Sequence, residues 1–237
     1  RVIKFSSKKN QNCKIKINFI VMTKILTQEL VSFLKSQNSD AKFLDKLKIV
    51  YRPYICPFDV LLNKIDTEKT VFDVGCGSGQ FLSLICKYRA PKAVKGIEIS
   101  QELCDNAKTL LAPYQENIQI SVEKYNGDVI PDDISNYDYI TMIDVAHHIP
   151  KDLIEPFFLQ LYAKMKKGAV LIFKDINGAS PLVFANKLHD AVLAGEIGNE
   201  KSLAKTKELF TTIGFNISEV TKKRLFWYPH FTIIATK

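Results

Sequence analysis

The stretch Val71-Phe72-Asp73-Val74-Gly75-Cys76-Gly77-Ser78-Gly79-Gln80-Phe81-Leu82 constrains the fold of this chain more than any other. An apolar, β-branched run ends in an acid and three alternating glycines. Apolar residues at helical spacing (Phe81, Leu82, Leu84, Ile85) follow at once. That order reads as strand, tight turn and helix, the unit that presents a nucleoside-bearing ligand at the carboxyl end of a parallel strand. Glycine lacks Cβ, so such a turn can take positive φ and a ligand can lie against bare backbone. The start of the helix offers unpaired N–H groups to acceptor atoms.

The spacing is G-x-G-x-G, not the G-x-G-x-x-G of the dinucleotide fingerprint. Asp73 stands two residues before the first glycine. A carboxylate there repels a pyrophosphate and attracts a cation. S-adenosylmethionine carries a sulfonium and an ammonium and fits that charge. On these residues the stretch resembles the glycine-rich motif of class I S-adenosylmethionine-dependent methyltransferases.

Three further features fall in the order that this resemblance implies. Glu98 lies 19 residues after Gly79, at the end of the apolar run 93–99. A carboxylate there can accept both hydroxyl hydrogens of a ribose. Gly127-Asp128 resembles the family's Gly-Asp element, whose acid faces the adenine amine. Asp144-Val145-Ala146-His147-His148-Ile149-Pro150 is similar to the D-x-x-H-H-h-P form (h apolar) found after the fourth strand of small-molecule methyltransferases. The resemblance implies cofactor contacts at Asp73, Gly75, Cys76, Gly77, Gly79, Glu98, Ile99, Asp128, Val129 and Asp144. It leaves the general base open. His147 and His148 are candidates because imidazole titrates near neutral pH, and Asp175 is a third because it ends the fifth expected strand beside the same site.

The rest of the chain alternates helix and strand. Helical spacing covers 25–47, and a Pro-rich aromatic segment, 51–58, reads as a packed connector or part of a lid. A short helix is expected near 59–65. Strands are expected at 70–74, 93–99, 118–122, 137–144 and 169–175, with helices between them. A helix over 181–194 and another from Asn199 or Ser202 to Gly214 follow, and two closing strands at 215–221 and 225–236 end the chain. This predicts an α/β doubly wound, mostly parallel sheet with an antiparallel C-terminal edge, for which the family implies seven strands. Three parts are expected: a basic leader at 1–21, a helical cap at 22–68, and an S-adenosylmethionine-binding domain at 69–237.

The net charge of +8 suggests nucleic acid until its location is considered. Six basic side chains and no acid lie before Met22. Subtracting those six from the 33 basic residues leaves 27 against 25 acids, or +2. The leader reads either as sequence upstream of a true start at Met22 or as a flexible tail. No apolar run approaches the roughly 18 residues of a membrane span. The five cysteines contain no C-x-x-C pair, so no metal site or disulfide framework is indicated, and thiols in a reducing cytosol are expected.

The expectation is therefore a cytoplasmic enzyme with S-adenosylmethionine as cofactor and a small-molecule acceptor, with neither nucleic acid nor membrane as partner. The N/D-P-P-Y/F signature of base-amine methyltransferases is absent, as are the paired-Glu loop of arginine methyltransferases and a Pro-Cys or Thr-Cys nucleophile. Two alternatives stay open: an RNA or protein methyltransferase using the leader as an arm, and a non-catalytic binder of the cofactor or its demethylated product.

Overall fold

The computed structural model describes residues 26–37, 52–179 and 201–237. The expected helices at 181–194 and around Phe43, Leu44 and Leu47 lie outside the described residues.

The chain begins with α1 (Thr27–Gln37), whose buried face is Leu30, Val31 and Leu34. A helical turn at 52–55, closed by Cys56 N–H donating to the Arg52 carbonyl at 2.8 Å, leads into α2 (Phe58–Leu62). Then come β1 (Thr70–Val74), α3 (Gln80–Arg89), β2 (Ala93–Glu98), α4 (Gln101–Leu111) and β3 (Gln119–Lys124). The second half holds β4 (Tyr139–Ile143), α5 (Ile154–Lys164), β5 (Val170–Ile176), α6 (Leu203–Ile213), β6 (Asn216–Leu225) and β7 (Tyr228–Thr236). Two helices start as their sequences dictate. The Ser100 hydroxyl accepts the Leu103 N–H and the Ser202 hydroxyl accepts the Lys205 N–H, each satisfying a donor that the first turn leaves unpaired. Gly214, at φ 112, ends α6.

The strands form one seven-stranded sheet in the order β3-β2-β1-β4-β5-β7-β6. Pairs among the first five are parallel, while β7 runs antiparallel to both β5 and β6. The chain builds outward from β1 to β3, then crosses to β4 on the other side of β1. The carboxyl ends of β1 and β4 therefore face a topological switch point, the place where open α/β sheets bind ligands.

Side chains alternate between two cores. One gathers Leu30, Leu61, Val71, Leu82, Leu84 and Ile172 beneath α1 to α4. The other gathers Phe72, Ile140, Phe158, Leu171, Phe173, Phe210 and Phe231 beneath α5 and α6. In the second, Phe158, Phe173 and Phe210 meet edge to face with centroids 4.9–5.7 Å apart, the arrangement favoured by ring quadrupoles.

The closing strands differ from the sequence expectation. Lys222-Lys223-Arg224 was expected to separate them, yet β6 continues through these residues to Leu225. An edge strand tolerates charge because one side faces water, and Lys222 and Arg224 are exposed. The turn is Phe226-Trp227, with Phe226 at φ 53.

Candidate functional site

At the end of β1 the backbone turns through the glycines. The N–H groups of Gly75 and Cys76 both donate to the Ile97 carbonyl, at 2.8 and 3.1 Å, tying the loop to the end of β2. Gly75 sits at φ 70, and a Cβ there would lie 2.4 Å from Val145 Cγ2, so a side chain would be strained and would have to displace Val145. Gly77, at φ 54, is the opposite case: a Cβ on it would meet nothing within 4 Å. Its bare backbone faces open space. Gly79, at φ 78, is the N-cap of α3.

Glu98 fixes this loop. Its Oε2 accepts the Gly77 N–H at 3.0 Å and its Oε1 accepts the Ser100 N–H at 3.1 Å, with the side chain buried. Each carboxylate oxygen keeps a second lone pair for a ligand hydroxyl. Beneath the loop lies Asp73, 3% exposed, accepting the Thr141 hydroxyl at 2.5 Å. Burial pushes the Asp73 carboxyl up to about 7; the Thr141 hydrogen bond opposes this and the Glu98 charge adds to it. Cys76 is buried and its thiol is pushed far up by burial. Ile99 and Val129 each keep 64% of their surface in water. Asp128, beside Val129, is exposed as well.

The ends of β4 and β5 carry two buried charge clusters. Asp144 follows β4 in a left-handed conformation (φ 56) and donates its N–H to the Lys174 carbonyl at 2.9 Å. Its Oδ2 accepts from Arg52 at 3.0 Å, and its Oδ1 accepts from the fully buried Lys174. Burial alone would raise the Asp144 pKa; Lys174 and then Arg52 outweigh it and hold the carboxyl far below the usual range. Cys56 and His230 share this environment. Burial raises the Cys56 thiol to about 11 against the pull of Lys174, whereas burial and Lys174 together lower His230 to about 3, leaving a neutral imidazole.

The second cluster is His147 with Asp175. Nδ1 of His147 lies 2.6 Å from Asp175 Oδ1, and both side chains are buried. The Ile176 N–H also donates to that oxygen, at 2.8 Å. A carboxylate at Nδ1 favours the ring proton on that nitrogen. The pair borders a small cavity of about 10 Å³ among Ala146, Phe158, Phe173 and Phe231. The His148 ring is 4.2 Å from that of His147 but faces outward, exposed. Among the described residues no group of three or more His, Cys, Asp or Glu is placed to hold a metal ion.

The structure thus brings Asp73, the glycines and Glu98 together at one crevice and joins His147 to Asp175, while Asp144 is engaged by two cations. Sequence reasoning missed Arg52, Cys56 and Lys174 as members of the site. Lys174 carried a signal, since a lone cation inside the run Val-Leu-Ile-Phe-Lys-Asp-Ile of a buried strand needs a partner. Arg52 carried none.

Residues 49–220 match the family model described as a methyltransferase domain. A carboxy-S-adenosyl-L-methionine synthase of Campylobacter fetus is 25% identical over 128 residues, 52% of this chain and 53% of that protein. A ubiquinone biosynthesis O-methyltransferase of Coxiella burnetii is 29% identical over 109 residues, 46% of this chain and 44% of its own length. The chain spans about half the length of these curated relatives. The magnesium protoporphyrin IX methyltransferase of Synechocystis PCC 6803, solved with bound S-adenosylhomocysteine, shares the fold: TM-score 0.65 at 16% identity, over 89% of this chain and 94% of that one.

Proposed function

Since this chain belongs to the methyltransferase domain family, we propose that it binds S-adenosylmethionine beside Gly77 and moves the methyl group to a small-molecule acceptor. The observation that carries this reading is the Glu98 clasp. One buried carboxylate takes the N–H of Gly77 and of Ser100, while the bare face of Gly77 looks into open space. That cradle suits a ribose on Glu98, with an adenine covering the exposed Ile99 and Val129 and reaching Asp128. Asp73 supplies the negative charge that a cationic ligand needs.

When bound, S-adenosylmethionine supplies a methyl group on an already activated sulfonium leaving group. The chain then has to align the acceptor with the carbon–sulfur axis, keep water out and take a proton. His147 is the base in this reading. Asp175 holds the ring orientation and stabilises the imidazolium that forms when the acceptor proton is taken. Asp144 acts by fixing the strap: its pairing with Arg52 ties the helical turn at 52–55 over the ends of β4 and β5. We accordingly assign 22–68 as a cap on the 69–237 domain. A reducing cytoplasm fits the four described cysteines, which are buried and free. Among the described residues no helix is long and apolar enough to cross a membrane.

Calorimetric titration of S-adenosylmethionine, beside an acceptor screen with methyl-labelled cofactor, tests the proposal. Glu98→Ala is expected to weaken cofactor binding at least tenfold. His147→Ala is expected to keep binding and lose turnover by about 10²–10⁴. Unchanged affinity in Glu98→Ala overturns the site; binding without turnover on any acceptor overturns the reaction.

A further inference from the structure

The turn between β6 and β7 is made of Phe226 and Trp227 alone, because Leu225 already pairs with Tyr228. Two-residue hairpins with positive φ ordinarily use glycine, asparagine or aspartate. Here Phe226 takes φ 53, a region that bulky side chains rarely enter. Both aromatics stand in water: Phe226 is 67% exposed and Trp227 48%. Their ring centroids are 6.0 Å apart, and Trp227 lies 5.7 Å from Tyr228. The fold gains little from two large apolar rings held outside it on an unfavourable turn. Strain and exposure at one spot point to something outside the chain.

The charges behind the tip say what that is. Lys222 and Arg224 are exposed and, by strand alternation, share one side of β6. Among the described residues neither has an ion-pair partner. The acids nearby are matched already: Asp59 lies 3.5 Å from Lys223, and Glu219 2.6 Å from Lys64. The order from the apex inward is therefore aromatic, aromatic, then unmatched cation. That sequence in depth suits a bilayer, with rings at the acyl boundary and cations among anionic headgroups. A single-stranded nucleic acid would instead favour rings and cations interleaved along a groove.

We propose that the Phe226-Trp227 hairpin tip docks on the surface of a bilayer containing anionic lipid. The contact is peripheral, so the lack of an apolar run long enough to span a membrane does not bear on it. Its placement gives it a use. Ile176 pairs with His230, and the Asn177 N–H donates to the Pro229 carbonyl at 2.8 Å, so the tip projects beyond the carboxyl end of β5. Docking brings the crevice end of the sheet to headgroup level.

Trp227 is the one tryptophan in the chain, so its fluorescence reports on the tip alone. The full chain is titrated with phosphatidylcholine vesicles, with and without phosphatidylglycerol. The expected result is a blue shift with the anionic vesicles, quenched by brominated acyl chains and reversed by salt. Lys222→Gln and Arg224→Gln each lower partitioning about fivefold, and Phe226→Ser about tenfold or more. Cofactor affinity stays as in wild type, because none of these residues belongs to the crevice. Thermal unfolding of each variant shows that it remains folded.

Four outcomes overturn the proposal. The emission does not move with anionic lipid at millimolar concentration. The shift is the same with and without phosphatidylglycerol. The shift appears without vesicles and grows with protein concentration, which makes the occupant a second copy. Or an oligonucleotide displaces the vesicles while quenching Trp227, which makes it a nucleic acid.

Discussion

Asp73 should make cofactor binding depend on pH in a direction fixed by its burial. The ordinary carboxyl value is 3.8, and in this chain it stands at about 7. Burial penalises the charged form, and the Glu98 charge adds repulsion. At roughly 1.36 kcal/mol per pH unit, the shift of about three units corresponds to about 4 kcal/mol for ionising this side chain inside the fold. A cationic ligand prefers the ionised form, so binding must supply that ionisation below pH 7. Apparent affinity is then expected to fall about five- to sixfold from pH 7 to pH 6 and to level off about twofold higher by pH 8. Calorimetry at pH 5.5–7.5 in buffers of different ionisation enthalpy counts the protons: about one released at pH 6, fewer above 7. The cofactor's own amine titrates near 8, so the comparison is with Asp73→Asn, which should bind weakly with a flat profile across pH 5.5–7. Thr141→Val removes the hydrogen bond that opposes the shift and should move the midpoint above 7. The stability sign is opposite. An acid with a raised folded pKa favours folding least when ionised, so its contribution falls as pH rises from 3.8 to 7, and Asp73→Asn should raise the melting temperature at pH 8. A wild-type affinity independent of pH from 5.5 to 7 refutes the argument.

Three other perturbations separate roles within the site. Lys174→Met leaves Asp144 with one partner and should cost about 3–5 kcal/mol by chemical denaturation, whereas Arg52→Ala, whose side chain is 39% exposed, should cost under about 1 kcal/mol. Asp175→Asn should lower turnover by at least about tenfold with KM for the cofactor unchanged, since it acts through the His147 tautomer; a loss in Tm without a loss in kcat would make the pair structural. Gly75→Ala should destabilise strongly because its methyl meets Val145, while Gly77→Ala should lose cofactor affinity with a smaller drop in Tm, since open space surrounds its Cβ position. Equal Tm losses in the two variants would contradict that division.

How much of this was legible beforehand depends on where each signal lives. The strand–glycine–helix unit and the parallel strands are local: apolar runs ending in Asp73, Glu98 and Asp144 betray both burial and strand ends. The contact between Glu98 and Gly77 was inferable because sequential parallel strands place their carboxyl ends side by side. The hairpin turn was not, because Phe226-Trp227 violates turn chemistry, and three charges in β6 imitate a loop. The Arg52–Asp144 pair spans 92 positions, a separation over which no residue pattern announces contact. Lys174 was visible as an anomaly, but its partner was not.

The placement of Lys174 and Asp175 explains why two opposite charges next to each other in sequence do not neutralise one another. Consecutive residues of a strand point to opposite faces. Lys174 shares a face with Ile172, on the side packed by Cys56, Phe58 and Leu61. Asp175 shares a face with Phe173 and Phe231. The segment leaving β4 therefore serves both faces within four residues: Asp144 takes the cation on one and His147 takes the acid on the other. Anchoring of the 52–55 turn and the proposed proton transfer thus lie on opposite faces of the sheet while being fixed by a single turn, although the His147 charge still reaches Asp144. If that is right, changing Lys174 should alter stability and strap closure and leave the pH dependence of turnover with His147, and changing Asp175 should do the reverse. A Lys174→Met enzyme whose turnover–pH profile shifts as far as that of Asp175→Asn would show that the two clusters titrate as one.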